Sequence, residues 1–532
     1  MKPILIILSI LISVFFVNAQ SFDGFALYNS QGSSTTYLID ENQNIAHFWN
    51  MTTACNYSVH LKENGNLVRG TKYDAGIDMF YYDPPPAAGG MVQEIAPDGT
   101  IIWEYIYADN DHLSHHDLTL IGDNVLLTAY EKKSVADLNS AGHNSNNEKW
   151  PTHFIELEDD GNGGANIVWE WHLWDHMCQD VDPSLANYVS NISDHPELID
   201  INMLSGNSED WFHVNGVDYN EDLDQIVFSS RKASEIYIID HSTTTAQAAS
   251  HSGGNSGMGG DILYRWGNPS NYGMTGDKII FSAVHDARWI TNDGRPNGGF
   301  LQIFNNCAGP GNCSGGGPGG GSQTANSTID GIETPWDATT NTYLRTPGQA
   351  FSPASFTTRY ECEYSASGQS ASDRMSNGNI FVNASNPSGV MYEVDAVTEQ
   401  IIWGPYQAGS QKGFRYECDY PGIIALKSYM NTATTSCFNA TAITENTITD
   451  ALTIYPNPAK DLVSINFELL TLEDVNINII NSLGQQMHTS TFHNHIGSLY
   501  QEVDLSSLPE GLYFVKIITG GESITERIAH IK

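Results

Sequence analysis

Basic side chains are scarce in this chain. Only 23 Lys and Arg stand against 62 Asp and Glu, a formal net charge of −39 over 532 residues. That balance excludes nucleic acid and anionic lipid surfaces as partners, because phosphate binding is dominated by basic charge. Any anion site has to be a local exception. Long apolar runs are missing after residue 20, so the chain is not read as an integral membrane protein. Cysteine is sparse and its count of seven is odd, which leaves at least one thiol unpaired even where disulfides form. Cys307 and Cys313, six apart in a Gly-rich stretch, could close a small ring. Residues 309–321 hold mostly Gly and Pro and cannot pack, so they read as a surface insertion.

What the chain does have begins at its front end. Lys2 supplies a positive start, residues 4–17 are almost wholly apolar, and Val17-Asn18-Ala19 offers a small-residue cleavage pattern. This predicts a signal peptide over residues 1–19 and a mature start at Gln20.

From Phe22 to Ser436 the chain reads as strands throughout, with β-branched and aromatic runs cut by Asn, Asp and Gly. One unit recurs: an apolar run, an acidic residue, a turn, then apolar residues leading to Trp49, Trp103, Trp169, Trp266 and Trp403. The last gap is two units wide, and residues 300–304 are taken as the remnant of a blade without its Trp. Repeated four-stranded units with aromatic markers predict an all-β, six-bladed β-propeller over residues 20–438. The near-identical hexapeptides around Cys362 and Cys418 are read as a further sign of repetition. A linker over 439–450 and a small antiparallel β-sandwich over 451–532 follow.

In a propeller the innermost strand of each blade lines the central channel, so matching positions meet near the axis. Three such strands carry histidine, in Ser114-His115-His116-Asp117, Trp211-Phe212-His213-Val214-Asn215 and Val284-His285-Asp286. Arg231 ends the strand after His213 and brings a fixed positive charge to the same mouth. Such a set fits either a His-rich metal site or a neutral imidazole nucleophile with charge-stabilising neighbours. The metal reading lacks ligand spacing, since Asp117 and Asp286 adjoin a His on a strand and face the other way. Both are read as structural. So are His153, His172 and His176. Trp211, Phe212, Tyr219 and Trp289 are candidates for an aromatic channel mouth.

Two resemblances sharpen this. Tyr455-Pro456-Asn457-Pro458, Asn481-Ser482-Leu483-Gly484-Gln485 and Leu508-Pro509-Glu510-Gly511-Leu512-Tyr513 resemble the C-terminal sorting domain of type IX secretion substrates. That implies the type IX machinery as a partner and, after export to the periplasm, a second crossing to the cell surface or medium. Residues 22–420 resemble the bacterial aryl-sulfate sulfotransferases of six-bladed propeller type. The likeness is strongest from Trp169-Glu170-Trp171-His172-Leu173-Trp174-Asp175-His176 through Leu263-Tyr264-Arg265-Trp266-Gly267-Asn268-Pro269 to His285-Asp286-Ala287.

The second resemblance implies transfer of a sulfuryl group from an aryl sulfate donor to a phenolic acceptor, with no nucleotide donor, cofactor or metal. It implies His285 as the nucleophile that becomes transiently sulfated. His213, Asn215 and Arg231 match the family's binding set, and His116 is preferred to His115 for the remaining position. Two other functions stay open on the same residues: a sulfatase-like hydrolase using water, and a non-catalytic binding propeller.

Overall fold

The computed structural model describes residues 21–30, 32–73, 87–206, 208–311, 325–385, 389–438, 452–481, 485–519 and 522–532. The expected signal peptide and linker lie outside them, as do Cys313 and most of the Gly-rich insertion. The chain divides into two compact units, Met1–Asn439 and Ala440–Lys532.

The first unit is a ring of six four-stranded antiparallel sheets. From the axis outward, blade 2 is Cys55–Leu61, Leu67–Lys72, Gly90–Ile95 and Ile101–Ile106. Blade 3 is His112–Ile121, Asn124–Glu131, Thr152–Asp159 and Ala165–His172. Blade 4 is Val214–Asn220, Gln225–Ser230, Glu235–Asp240 and Tyr264–Trp266, and blade 5 is Val284–Trp289, Leu301–Asn305, Thr328–Ile332 and Thr358–Glu361. Blade 6 is Ala371–Arg374, Ile380–Ala384, Val390–Val394 and Ile401–Gln407. Blade 1 closes the ring. Its three outer strands, Gly24–Asn29, Thr35–Ile39 and Ile45–Asn50, come first in the chain, while its inner strand is Lys412–Glu417. Gly24 pairs with Glu417 and Asn29 with Lys412.

The recurring Trp has a mechanical reason. Each buried indole sits on an outermost strand, and four of the five donate into the next blade. Trp49 Nε1 reaches Ala96 O at 3.0 Å, Trp169 reaches Thr243 Oγ1 at 3.2 Å, Trp266 reaches Pro353 O at 2.8 Å and Trp403 reaches Glu41 O at 2.6 Å. A large apolar ring with one polar tip is suited to such a seam. Trp103 instead donates to Glu94 of its own blade.

Three sequence expectations change here. Residues 300–304 do belong to the blade without Trp, but they fall on its second strand. Its outer strand, Thr358–Glu361, carries Tyr360 and follows a long excursion containing the hairpin Trp336–Asp337 and Thr342–Tyr343. The Cys362 and Cys418 hexapeptides are not equivalent positions, since one ends an outer strand and the other an inner strand. Nor is the unit strand throughout. Between blades 3 and 4 run two 3-10 turns and the parallel pair Met177–Cys178 and Ile199–Asp200, and helices Val135–Ser140, Thr245–Ala248 and Pro421–Leu426 interrupt other connections. Cys418 is disulfide-bonded to Cys437, tying the closing strand to the chain beyond it. Cys307 is also disulfide-bonded, and Cys55, Cys178 and Cys362 are free and buried.

The second unit is one five-stranded antiparallel sheet of Thr453–Tyr455, Leu462–Asn481, Gln486–Asp504, Gly511–Thr519 and Glu522–His530. Its two longest strands shift register between Leu469 and Val475. Residues on either side of the shift, Val463, Ile465 and Phe467 with Val475, Ile477 and Ile479, share one buried cluster. The two layers of the expected sandwich are thus one sheet bent over on itself. Among the described residues no helix is long and apolar enough to cross a membrane.

Candidate functional site

The inner strands of blades 3, 4 and 5 bring His116, His213 and His285 together, each almost fully buried. Every one of these strands is bulged, with register breaks between Ser114 and Leu118, Val214 and Gly216, and His285 and Arg288. Bulges re-aim side chains and concentrate at functional sites. His116, His213 and Asp286 hold φ of 52°, 55° and 56°, a left-handed conformation that costs a non-Gly residue of order 1–3 kcal/mol.

His116 Nε2 and His213 Nε2 lie 2.8 Å apart, so one proton is shared between them. The His116 and His285 ring centres are 6.3 Å apart. On its other side, His213 Nδ1 donates to Asp210 Oδ2, whose second oxygen accepts Tyr130 OH at 3.1 Å. Burial would raise the Asp210 carboxyl, yet the charge and hydrogen bond of His213 hold it below its ordinary value. An ionised Asp210 fixes the proton on His213 Nδ1 and stabilises positive charge on that ring. His116 is pushed well below the usual imidazole range by burial and by the positive potential of His213, His115, His285 and Arg231.

His285 is held in one tautomer. Asn306 Nδ2 donates to the carbonyls of Ala366 and Gln369 at 2.9 and 3.0 Å, so its Oδ1 must be the acceptor facing His285 Nδ1 at 2.7 Å. The lone pair is then on Nε2, where the backbone N–H of Gln369 donates at 2.9 Å. Burial and Arg231 together press the His285 pKa well below its ordinary value, against the pull of Asn306. The ring is neutral and its nucleophilic nitrogen is capped by the segment 366–370. That segment is itself strained, with φ of 53° at Gln369 and 90° at Ser370.

Arg231 follows the second strand of blade 4, its N–H bonded to His213 O at 3.0 Å. Its half-buried guanidinium makes no ion pair among the described residues. A side chain at Gly368 would start 3.7 Å from Arg231 Nε and 3.9 Å from His285 Cε1, so one point of the cap overlies both. Asn215 is more committed than its sequence role suggests. Its Nδ2 donates to Val284 O at 2.8 Å and its Oδ1 accepts Ser229 Oγ at 2.6 Å, which stitches blade 4 to blade 5 and leaves one N–H for a ligand.

Of the two adjacent histidines, His116 meets His213 while His115 stacks on Tyr130, ring centres 3.6 Å apart. Both His115 ring nitrogens and Trp211 Nε1 are buried without a hydrogen-bond partner among the described residues. The aromatic mouth is not formed as expected: Trp211 and Phe212 are core of blade 4, Tyr219 packs on the same cluster, and Trp289 is core between blades 4 and 5. Asp117 and Asp286 are knotted into the axis by Lys412, whose Nζ lies 2.5 Å from Asp117 Oδ2 and 2.8 Å from Asp286 Oδ1. Arg288 Nη2 donates to the same Asp286 oxygen at 2.8 Å while Oδ2 accepts the Ser372 N–H at 2.8 Å, and the carboxyl is held down at about 2 against its burial. One buried ammonium thus joins the inner strands of blades 1, 3 and 5.

Sequence reading missed Asp210, Asn306 and the Gln369 cap. Asp210 had a signal, an acid three residues before a candidate His. Asn306 and Gln369 had none, since only the fold brings them to the ring.

The family model described as Arylsulfotransferase (ASST) matches residues 14–312, and that of the Secretion system C-terminal sorting domain matches residues 453–532. No curated protein matches the chain. Among solved structures, the β-propeller domain of Cps50 (Swd1) from Myceliophteria thermophila is 10% identical, covering 72% of this chain and 86% of that one with a TM-score of 0.34. A protein from Lactobacillus plantarum is 10% identical, covering 90% and 100% with a TM-score of 0.35.

Proposed function

Since the chain belongs to the arylsulfotransferase family and its tail makes it a type IX secretion substrate, secreted or held at the cell surface, we propose that it transfers a sulfuryl group between phenols through a sulfated His285. The observation that carries this is the pairing of a neutral imidazole, fixed with its lone pair on Nε2, with a second imidazole backed by a carboxylate.

The donor is an aryl sulfate ester. Once the Gln369 N–H moves off His285 Nε2, that lone pair attacks sulfur, the N–S bond forms and the aryl O–S bond breaks. The departing oxygen keeps the bonding pair and takes the proton from His213, whose charge Asp210 had stabilised. Arg231 is a planar fork matched to a pair of sulfonate oxygens, and the remaining N–H of Asn215 serves a third. In-line displacement at such a centre needs positioning and charge stabilisation more than new covalent chemistry. The second half reverses the first. A phenol gives its proton back to His213, its oxygen attacks sulfur, and the N–S pair returns to His285. No nucleotide enters, which suits an enzyme working outside the cell.

A pulse of 4-nitrophenyl sulfate followed by mass spectrometry tests this reading. The expected result is one acid-labile sulfuryl adduct on His285, discharged by added phenol, and none in His285→Ala. Turnover with His285 unmodified would overturn the mechanism. Product release insensitive to phenol would make the enzyme a hydrolase, and no turnover of any aryl sulfate would make it a binding propeller.

A further inference from the structure

Away from the axis, the connection between blades 3 and 4 meets an insertion in blade 4 at three side chains, His176, His251 and Asp261. His176 Nδ1 lies 2.8 Å and His251 Nδ1 2.7 Å from the same Asp261 oxygen. The other nitrogen of His176, Nε2, is 2.8 Å from the carbonyl of Ala248. A carbonyl only accepts, so Nε2 carries a proton and Nδ1 is the nitrogen turned on the carboxylate, the atom the ring has to offer as a ligand. The Nδ1 atoms of both rings and a carboxylate oxygen of Asp261 thus converge on one point. His176 and Asp261 are buried, with side-chain exposures of 0% and 7%, while the His251 side chain is 63% exposed.

The backbone builds this arrangement. Gly260 N donates to Ser250 O at 3.0 Å, Gly259 N donates to Gly253 O at 2.9 Å, and Trp171 Nε1 donates to Gly260 O at 2.7 Å. A Cβ at Gly260 would stand 2.0 Å from Ala248 O and 2.6 Å from His176 Nε2, so only glycine lets the insertion close on this ring. Trp171 lies parallel to His176, ring centres 5.5 Å apart, and fixes its plane.

We propose that His176 Nδ1, His251 Nδ1 and an Asp261 oxygen hold a divalent transition metal of the zinc class. Two imidazoles and one carboxylate suit zinc, whereas calcium and magnesium take all-oxygen shells. With ligand bonds of about 2.0 Å, tetrahedral coordination sets neighbouring ligand atoms roughly 3.3 Å apart, about half an ångström beyond the present contacts. The fourth position faces solvent beside His251 and takes water. The Ala248 carbonyl orients His176 as outer-shell acceptors do for metal-bound imidazoles. The ion pins the insertion to the end of blade 3, far from the sulfuryl chemistry, and stabilises the folded state by mass action.

The test uses the full exported chain, stripped with chelator and dialysed. Zinc chloride titrated against a chromophoric chelator should bind at one equivalent and raise the unfolding temperature. His251→Ala, an exposed change that spares the fold, and Asp261→Asn should each weaken binding at least about tenfold and abolish the thermal shift. Anomalous diffraction at the zinc edge should place the ion between the three side chains. Absence of one-to-one binding, or equal affinity in His251→Ala, overturns the assignment.

Discussion

Replacing Asp210 by Asn isolates the contribution of the carboxylate behind His213. Size and one acceptor oxygen are kept, and only the charge facing the imidazolium goes. The two charge centres lie roughly 4 Å apart, worth about 4 kcal/mol at an effective dielectric near 20. That corresponds to about 10³ in any step that needs a protonated His213. The loss has to depend on the leaving group, because only a basic phenolate requires its proton. For aryl sulfates of alkylphenols kcat/KM should fall about 10³-fold, while for 4-nitrophenyl sulfate, whose phenolate departs unaided, the fall should shrink to about tenfold. In a His213→Ala background the same change should add almost nothing, since the two act as one unit. Steady-state kinetics across a graded series of phenols reads this directly. An equal loss across the series would show Asp210 to be merely structural and refute the proton assignment.

Other perturbations separate the fold from the chemistry. Lys412→Met leaves Asp117 and Asp286 buried without their shared cation, and breaking such a network costs about 3–5 kcal/mol; an unchanged denaturant midpoint would contradict the axial role. Asn306→Ala frees the His285 tautomer and should slow formation of the sulfuryl adduct at least about tenfold in single-turnover mass spectrometry, beyond the loss of about 1–3 kcal/mol of stability from the two cap carbonyls left without their donor. Burial, with the charges of Lys412 and Arg288, holds His60 down at about 3; burial, with the charge of His213, does the same for His115. Both are neutral in the folded state and bind protons only when unfolded. Their contribution is intact above the ordinary value near 6.5 and is lost as pH falls toward 3, about 2 kcal/mol each by pH 5. Equilibrium unfolding between pH 7 and 5 should show that slope, and a flat profile would refute it.

His241 works in the opposite sense. Although burial lowers it, hydrogen bonds and charge from Asp224 and Glu156 raise it to about 9. The stability it supplies to the seam between blades 3 and 4 is fully present below 6.5 and disappears as pH climbs through 9, about 3 kcal/mol at most. His241→Gln should therefore destabilise the protein at pH 6 and leave it nearly unchanged at pH 10.

What was readable in the sequence was whatever the fold repeats. The Trp units were visible because the indoles are seams between blades, so each blade needs one in the same place. The candidate histidines were visible because each lies on an inner strand or immediately before one. Blade 5 was legible only as a unit without its Trp, because Tyr360 replaces the indole and a long excursion separates its third and fourth strands. The closing strand Lys412–Glu417 carries no local mark, since its partner lies at the opposite end of the unit. Large aromatics near the motifs suggested a substrate mouth, but in a propeller the space between blades claims such rings first.

The alternation rule that set Asp117 and Asp286 aside as structural holds in outcome for a different reason. In a regular strand, neighbours simply face opposite ways. Here the bulges place His116 or Asp286 in the left-handed region, so the turn that aims a histidine at the site also aims its aspartate at Lys412. Unfavourable backbone at these positions persists only where the surroundings over-determine it. The buried ammonium supplies that constraint, because relaxation of either strand would pull a buried carboxylate away from the cation that Asp117 and Asp286 share. Lys412 thus holds the strained strands that aim His116 and His285, without touching substrate. The closing strand of the ring is accordingly part of the site's rigidity, and the ring must be sealed before the histidines can be held in place.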